Sequence, residues 1–215
     1  MAIQETASLL HWNYFLALES DVERLARFVE FTSNNFATYS IEMTHLFLAA
    51  ASEVDVVAKQ LCSILDETAN VANIEQYRDV LRRCLPKMES ALVTIPRYGL
   101  ELSPWSNWLN NETPNWWRAH NKVKHQRGEH FALANLKNVL NAMAGLFLLF
   151  LYYYRCIGYY QGIEPPPNLF MPPQDLAFVC GTLGGGGLKL FFEDGTRWQV
   201  DREIENYVQG NEHGY

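Results

Sequence analysis

An arginine, an amide and an imidazole follow one another at helical spacing in residues 114–127, the run Pro-Asn-Trp-Trp-Arg-Ala-His-Asn-Lys-Val-Lys-His-Gln-Arg. If this run is an α-helix, Arg118, Asn121 and His125 occupy positions i, i+3 and i+7 and share one face. Histidine can transfer protons near neutral pH because its unperturbed pKa is about 6.5. Arginine binds phosphate with a planar fork that stays charged. The spacing predicts a face that could combine proton transfer with phosphate binding.

The same run is locally basic in an acidic chain. Lys122, Lys124 and Arg127 accompany Arg118, and no acidic residue lies between positions 118 and 127. The formal net charge of the whole chain is -7 at pH 7. This charge argues against binding of a long duplex by bulk electrostatics, and the local basic run favours a confined anionic ligand. A solvated basic helix face would explain the same charges without any ligand.

The helix that carries this face is predicted to have clear ends. Thr113 can serve as its N-cap, Pro114 as its first residue and Gly128 as its stop. Apolar residues recur at helical spacing in four other segments, which are residues 20–33, 40–65, 74–88 and 131–158. The first of these begins at the capping box Ser20-Asp-Val-Glu23. The third is interrupted by Pro86, which predicts a kink or two short helices.

Composition divides the chain into three expected parts: a helical bundle over residues 1–160, a proline-rich linker over 161–173, and a small β appendage with the tail over 174–215. Successive prolines forbid helix and favour an extended, stiff linker. Residues 176–180 have the composition of a strand, and Asp194-Gly195 between two apolar runs predicts a β-hairpin. Residues 184–187 are interpreted as a flexible connection between strands, since no Lys-Ser/Thr follows them as in a phosphate loop.

The most apolar segment, residues 142–154, is predicted to be a core helix rather than a membrane span. Its uninterrupted run of thirteen residues is shorter than the ~20 needed to cross a bilayer. The four cysteines form no C-x-x-C pair and are expected to be reduced and structural. The first residues do not combine a basic region with a hydrophobic segment, so a cytoplasmic location is expected.

The segment Arg118-Ala-His-Asn-Lys-Val-Lys-His125 resembles the R-x(4–6)-H motif of the HEPN superfamily, here with six intervening residues. The long helix over 40–65 and the alanine-, leucine- and asparagine-rich helix after residue 131 agree with that pattern. The resemblance covers residues 15–160, and the β tail lies outside it. It implies a mainly α, HEPN-like antiparallel helical bundle with a small C-terminal β-hairpin appendage. It also implies a dimer in which paired motifs form a metal-independent ribonuclease site, in a toxin–antitoxin or phage-defence setting.

Carried onto this chain, the resemblance suggests catalytic roles for three side chains. His125 is expected to act as general acid or base, Arg118 to bind the phosphate, and Asn121 to orient His125 or the ribose. Glu53, midway along the 40–65 helix, is expected to support the site. Five further side chains are expected to contact the substrate, the last by stacking on a base: His120, Lys122, Lys124, Arg127 and Trp117.

The partners expected from this resemblance are RNA or a nucleotide, a second copy of the chain in a homodimer, and a cognate antitoxin or regulatory protein. No cofactor, metal ion or membrane is expected. A metal site built from His120, His125 and His130 is disfavoured, because spacings of five and five do not align three imidazoles on one helical face.

Two alternatives remain open at the level of sequence. In the first, Trp116 and Trp117 anchor the core, Arg118 pairs with an acid such as Glu53, and His125 is structural. In the second, the protein is a non-catalytic dimeric module that binds nucleotide, RNA or a protein. Active members of the superfamily commonly have a polar residue after the arginine, whereas Ala119 stands there in this chain. That difference favours the binding module.

Overall fold

The structure, a computed structural model, describes residues 9–159, 162–182 and 185–191. Over these residues the chain is mainly helical, as predicted. The described residues form five α-helices: α1 (Leu10–Leu25), α2 (Ile41–Leu65), α3 (Ile74–Cys84), α4 (Asn115–His130) and α5 (Leu136–Cys156). They also form two antiparallel strand pairs, β1 (Val93–Ile95) with β2 (Leu100–Leu102) and β3 (Ala177–Thr182) with β4 (Gly185–Leu190).

Helices α2 and α5 pack against each other at the centre of the core. The Ser40 hydroxyl caps α2 by accepting a hydrogen bond from the backbone N–H of Met43 at 3.1 Å. In α5 every residue from 142 to 152 is buried. By length and composition α5 could cross a membrane, yet 78% of its most apolar window is buried inside the protein. Its position is that of a core helix, as predicted.

Helix α1 differs from the helix predicted over residues 20–33. Because it runs from Leu10 to Leu25, Ser20 and Glu23 lie inside it rather than at its start, and the predicted capping box is wrong. Buried side chains recur every three or four residues along the whole helix, and burial of this apolar face outweighs a local capping signal. These side chains are Trp12, Phe15, Leu18, Val22 and Leu25.

The ends of α4 also differ from the prediction. Pro114 occupies the N-cap position, and Thr113 donates its hydroxyl to Glu75 at 2.8 Å instead of capping the helix. The backbone departs from helical geometry at Gln126, where φ is -140° and ψ is 52°, and it is helical again after this residue. Gly128 lies inside the resumed turn and does not end the helix. The continuous part of α4 is the part before this break.

The proline-rich segment is fastened to the helical body, rather than extending from it as a stiff linker. The buried carboxylate of Glu19 accepts hydrogen bonds from the backbone N–H groups of residues 168–170 at distances from 2.9 to 3.0 Å. Trp12 donates its indole N–H to the carbonyl oxygen of Pro165 at 2.9 Å. The prolines restrict the shape of the segment, and two side chains of α1 bind its backbone to the helical body.

The described β-hairpin is formed by β3 and β4, and β3 confirms the strand predicted near residues 176–180. Of the residues interpreted as a flexible connection, 185–187 belong to β4 instead, and residue 184 lies outside the described residues. Ladder pairing uses backbone N–H and C=O groups, which glycine possesses like every residue except proline. The N–H of Leu188 in β4 also donates to the carbonyl oxygen of Ile163 at 2.9 Å. The turn predicted at Asp194-Gly195 lies outside the described residues.

Candidate functional site

Helix α4 is fixed to the core through its tryptophan-rich face. The indole N–H of Trp116 donates to the carbonyl oxygen of Pro104 at 2.8 Å, and the rings of Trp105 and Trp116 meet edge to face at 5.3 Å. Gly145 of α5 lies beneath them, where a Cβ atom would stand 3.1 Å from the Trp116 ring. This glycine allows α4 to approach α5 closely. The predicted role of Trp116 as a core anchor is confirmed.

The opposite side of α4 is open to solvent. Arg118, Asn121, Lys122 and His125 are exposed at positions i, i+3, i+4 and i+7, and we call this set the basic stripe. The structure brings the three predicted catalytic side chains onto one face, as the spacing predicted. Arg127 is also exposed, but it follows the break in α4 and lies outside the stripe.

Arg118 is held by residues near the start of its own helix. Its Nη2 donates to the side-chain oxygen of Asn115 at 2.6 Å and lies 3.8 Å from the carboxylate of Glu112. The side chain is 52% exposed. These contacts keep the guanidinium near the N-terminal end of the stripe. About 10 Å of helix separates the Cα atoms of Arg118 and His125 at 1.5 Å per residue, so the stripe can span a length of ribose–phosphate backbone.

Glu53 does not contact the basic stripe. Its carboxylate accepts a hydrogen bond from Nδ1 of His11 at 2.6 Å, and the other ring nitrogen of His11 lies 3.0 Å from the side-chain oxygen of Gln60. The alternative in which Arg118 pairs with an acid is confirmed, but the acid is Glu112 at 3.8 Å and not Glu53. Nothing in the sequence around His11 signalled this pairing, which depends on how α1 packs against α2.

His120 and Trp117 lie on a neighbouring stripe of α4 and are buried, with 5% and 6% of their surfaces exposed. Their rings are 5.2 Å apart, and Phe47 of α2 meets the imidazole edge to face at 6.1 Å. Nδ1 of His120 has no hydrogen-bond partner among the described residues. Trp117 is too buried to offer an open stacking face beside Arg118. A ligand can contact these two side chains only by entering a cavity in the protein.

A cleft of about 340 Å³ gives access to these buried rings. It is enclosed by α2, the start of α3 and α4, and its α4 wall consists of Trp117, His120, Asn121 and Lys124. Asn121 belongs both to this wall and to the basic stripe. The cleft and the stripe are thus adjacent surfaces of one helix.

The α2 wall of the cleft carries a carboxylate that the sequence analysis missed. Asp55 lines the cleft with Ser52, one helical turn away. Its Oδ1 accepts a hydrogen bond from the hydroxyl of the buried Tyr77 at 3.1 Å. A carboxylate offers about four acceptor sites, so this bond leaves Asp55 able to accept others. The polar pair at 52 and 55 in an apolar helix was a signal that could have identified this wall.

Burial lowers the pKa of His120 to about 4, and the nearby positive charge of Lys124 acts in the same direction. The folded protein therefore binds this proton less readily than the unfolded chain, whose histidine has a pKa of about 6.5. The stability that the neutral imidazole contributes is fully present above the unfolded pKa of about 6.5, and it is lost as the pH falls towards 4. The imidazole is neutral at pH 7.

We expect His120→Phe to remove this pH dependence, because phenylalanine has a similar shape and no ionisable group. Between pH 6.5 and 4 the wild type should lose roughly 3 kcal/mol more unfolding free energy than the variant. Urea unfolding at half-unit pH steps measures the difference. The exposed His45 of α2 provides the control, since His45→Phe should keep the wild-type slope. If the unfolding free energies of His120→Phe and wild type change equally with pH, the pKa of His120 is not shifted by folding.

Among the described residues, no group of three or more histidine, cysteine or acidic side chains is arranged to hold a metal ion. His120 is buried, His125 is exposed on the basic stripe, and His130 follows the break in α4. No protein-family model, curated protein or solved structure matches this chain. The resemblance to the HEPN superfamily accordingly stays a prediction.

Proposed function

We propose that this protein is a metal-independent endoribonuclease with an HEPN-like bundle, and that the basic stripe of α4 is its site. The supporting observation is the exposure of an arginine, an amide and an imidazole on one face of a helix whose other face is anchored in the core. Anchoring on one side fixes the backbone beneath the stripe. The protein then needs to position only the side chains when RNA binds.

The proposed reaction uses the ribose 2′-hydroxyl as nucleophile. The neutral imidazole of His125 takes the 2′-hydroxyl proton while the oxygen attacks the adjacent phosphorus, and Arg118 stabilises the charge on the phosphoryl oxygens. The bond to the 5′-oxygen breaks, and that oxygen must receive a proton. In a homodimer, the protonated imidazole of a second copy of the chain would give this proton to the 5′-oxygen. The products are a 2′,3′-cyclic phosphate and a free 5′-hydroxyl.

A cytoplasmic toxin–antitoxin or phage-defence role belongs to the same proposal, with a cognate antitoxin or regulatory protein as partner. The acidic chain and its local basic stripe are compatible with an enzyme that acts on single-stranded segments rather than along a duplex.

The second candidate is a non-catalytic module that binds RNA or a nucleotide. One observation favours it: among the described residues, His125 has no hydrogen-bond partner that would fix its tautomer. General bases are usually oriented by a further group. In this second function the stripe would bind phosphates by charge alone, and loss of His125 would be tolerated.

Incubation of mixed cellular RNA with the purified protein in excess chelator tests the proposal. Cleavage that leaves 2′,3′-cyclic phosphate ends is the expected result. Intact RNA, with RNA binding still measurable, would favour the binding module instead. A second measurement, the mass of the protein in solution with and without RNA, tests whether a dimer forms.

Arg118→Ala should weaken RNA binding and reduce its salt dependence, because one phosphate contact is lost. For single-stranded RNA the slope of log K against log salt should fall by about 0.7. Fluorescence anisotropy with a labelled oligonucleotide at several salt concentrations measures both quantities. Arg24→Ala is the matched control, since Arg24 is exposed on α1 and pairs locally with Asp21. Equal slopes for wild type and Arg118→Ala would remove Arg118 from the phosphate-binding surface.

A further inference from the structure

The cleft beside the basic stripe has the features of a site for a neutral, planar ligand. Its volume is about 340 Å³, which lies at the lower end of the range of small-ligand sites. Its charged lining includes the carboxylates of Asp55 and Glu75 and the ammonium group of Lys124. The two carboxylates would repel an anion, and the ammonium group of Lys124 would repel a cation. A neutral molecule with both donors and acceptors avoids both repulsions.

The fold holds two polar side chains of this cleft in place. The hydroxyl of Tyr77 holds one oxygen of Asp55, which restricts the orientation of the whole carboxylate. His120 is held between the rings of Trp117 and Phe47, and its Nδ1 has no partner among the described residues.

Guanine matches this arrangement better than the other bases. Its N1–H and amino group form a pair of adjacent donors, which suits one carboxylate, and its O6 and N7 are acceptors, which suit a lysine. Adenine has no such donor pair, and the pyrimidines offer fewer contacts. Asp55 and Lys124 stand on different walls of the cleft, α2 and α4, and can address different edges of one base.

We propose that the cleft binds one unstacked guanine of the RNA strand whose backbone lies on the basic stripe. This inference rests on the proposed function, because Asn121 joins the two surfaces and would place the guanine next to the backbone held by Arg118 and His125. Cleavage would then occur beside guanosine residues. The cleft determines sequence preference, whereas the stripe carries the reaction.

Isothermal titration with free guanosine, adenosine, cytidine and uridine tests the cleft separately from the stripe, because nucleosides have no phosphate. Wild type should bind guanosine at least tenfold more tightly than the other three. Asp55→Asn keeps an oxygen for Tyr77 but replaces one acceptor by a donor, so guanosine affinity should fall at least tenfold. Xanthosine carries an oxygen where guanosine has its amino group, and its affinity should rise in the same variant.

Asp79→Asn is the matched control, because Asp79 is an exposed acid on α3 outside the cleft, held by Arg78. It should bind guanosine like wild type. No guanosine preference in wild type, or an unchanged preference in Asp55→Asn, would overturn the inference. RNA cleavage without guanosine binding would leave the proposed function standing and remove the guanine site. Guanosine binding without RNA cleavage would leave the guanine site standing and remove the ribonuclease.

Discussion

Replacing His125 with alanine is expected to lower RNA cleavage by about 100-fold or more, since general acid–base catalysis by a positioned side chain contributes that much. The fold should be unaffected because His125 is exposed and lies before the break in α4. RNA affinity should change by less than about threefold, because the cationic side chains of Arg118, Lys122 and Lys124 remain. Single-turnover cleavage of a labelled oligonucleotide in excess chelator measures the rate directly.

His45→Ala provides the matched control, as it removes an exposed histidine from α2 that is not part of the basic stripe or the cleft. Its cleavage rate should equal that of wild type. If His125→Ala cleaves as fast as His45→Ala, the imidazole takes no part in the reaction.

Glu19→Ala is expected to have the largest effect on stability. Glu19 is 2% exposed and accepts hydrogen bonds from three backbone N–H groups of the proline-rich segment. Each buried donor left without a partner costs about 1–3 kcal/mol, although entering water recovers part of this. We expect a loss of roughly 3–5 kcal/mol of unfolding free energy. Burial raises the pKa of this carboxyl, while the three N–H groups oppose the shift.

Urea unfolding with amide hydrogen exchange tests this prediction. Glu19→Gln keeps one acceptor oxygen, so its loss should be smaller than that of Glu19→Ala. Glu23→Ala, one helical turn further along α1, should stay within about 0.5 kcal/mol of wild type. Exchange in Glu19→Ala should accelerate first at the amides of residues 168–170. A Glu19→Ala protein as stable as Glu23→Ala would show that these hydrogen bonds add nothing to the fold.

The sequence predicted α2 closely and α1 poorly, for reasons that lie in the residues themselves. In α2 the apolar positions repeat without interruption and Ser40 provides the cap that the structure uses. In α1 the sequence contains a capping box at Ser20 and Glu23. The aromatic residues before this box nevertheless extend the buried face of the helix towards its N-terminus. Local signals fail where tertiary burial favours a longer helix.

The candidate site was likewise predicted from the sequence only in part. Helical period alone placed Arg118, Asn121 and His125 on one face, because all three belong to one continuous helix. It could not show the cleft, whose opposite wall comes from Asp55 on α2. Nor could it show that Glu53 pairs with His11, since that contact depends on the packing of α1. Properties of one helix were predictable, and those shared between helices were not.

The burial of residues 142–152 of α5 has a consequence for the newly made chain. Before folding, this helix exposes a stretch apolar enough to associate with membranes or with other unfolded chains. Helices α1 to α4 are synthesised before it, so the helices that pack against it have already been made when it leaves the ribosome. Variants that loosen those earlier helices should therefore be lost to aggregation in cells at a lower expression level than their unfolding free energy alone would indicate.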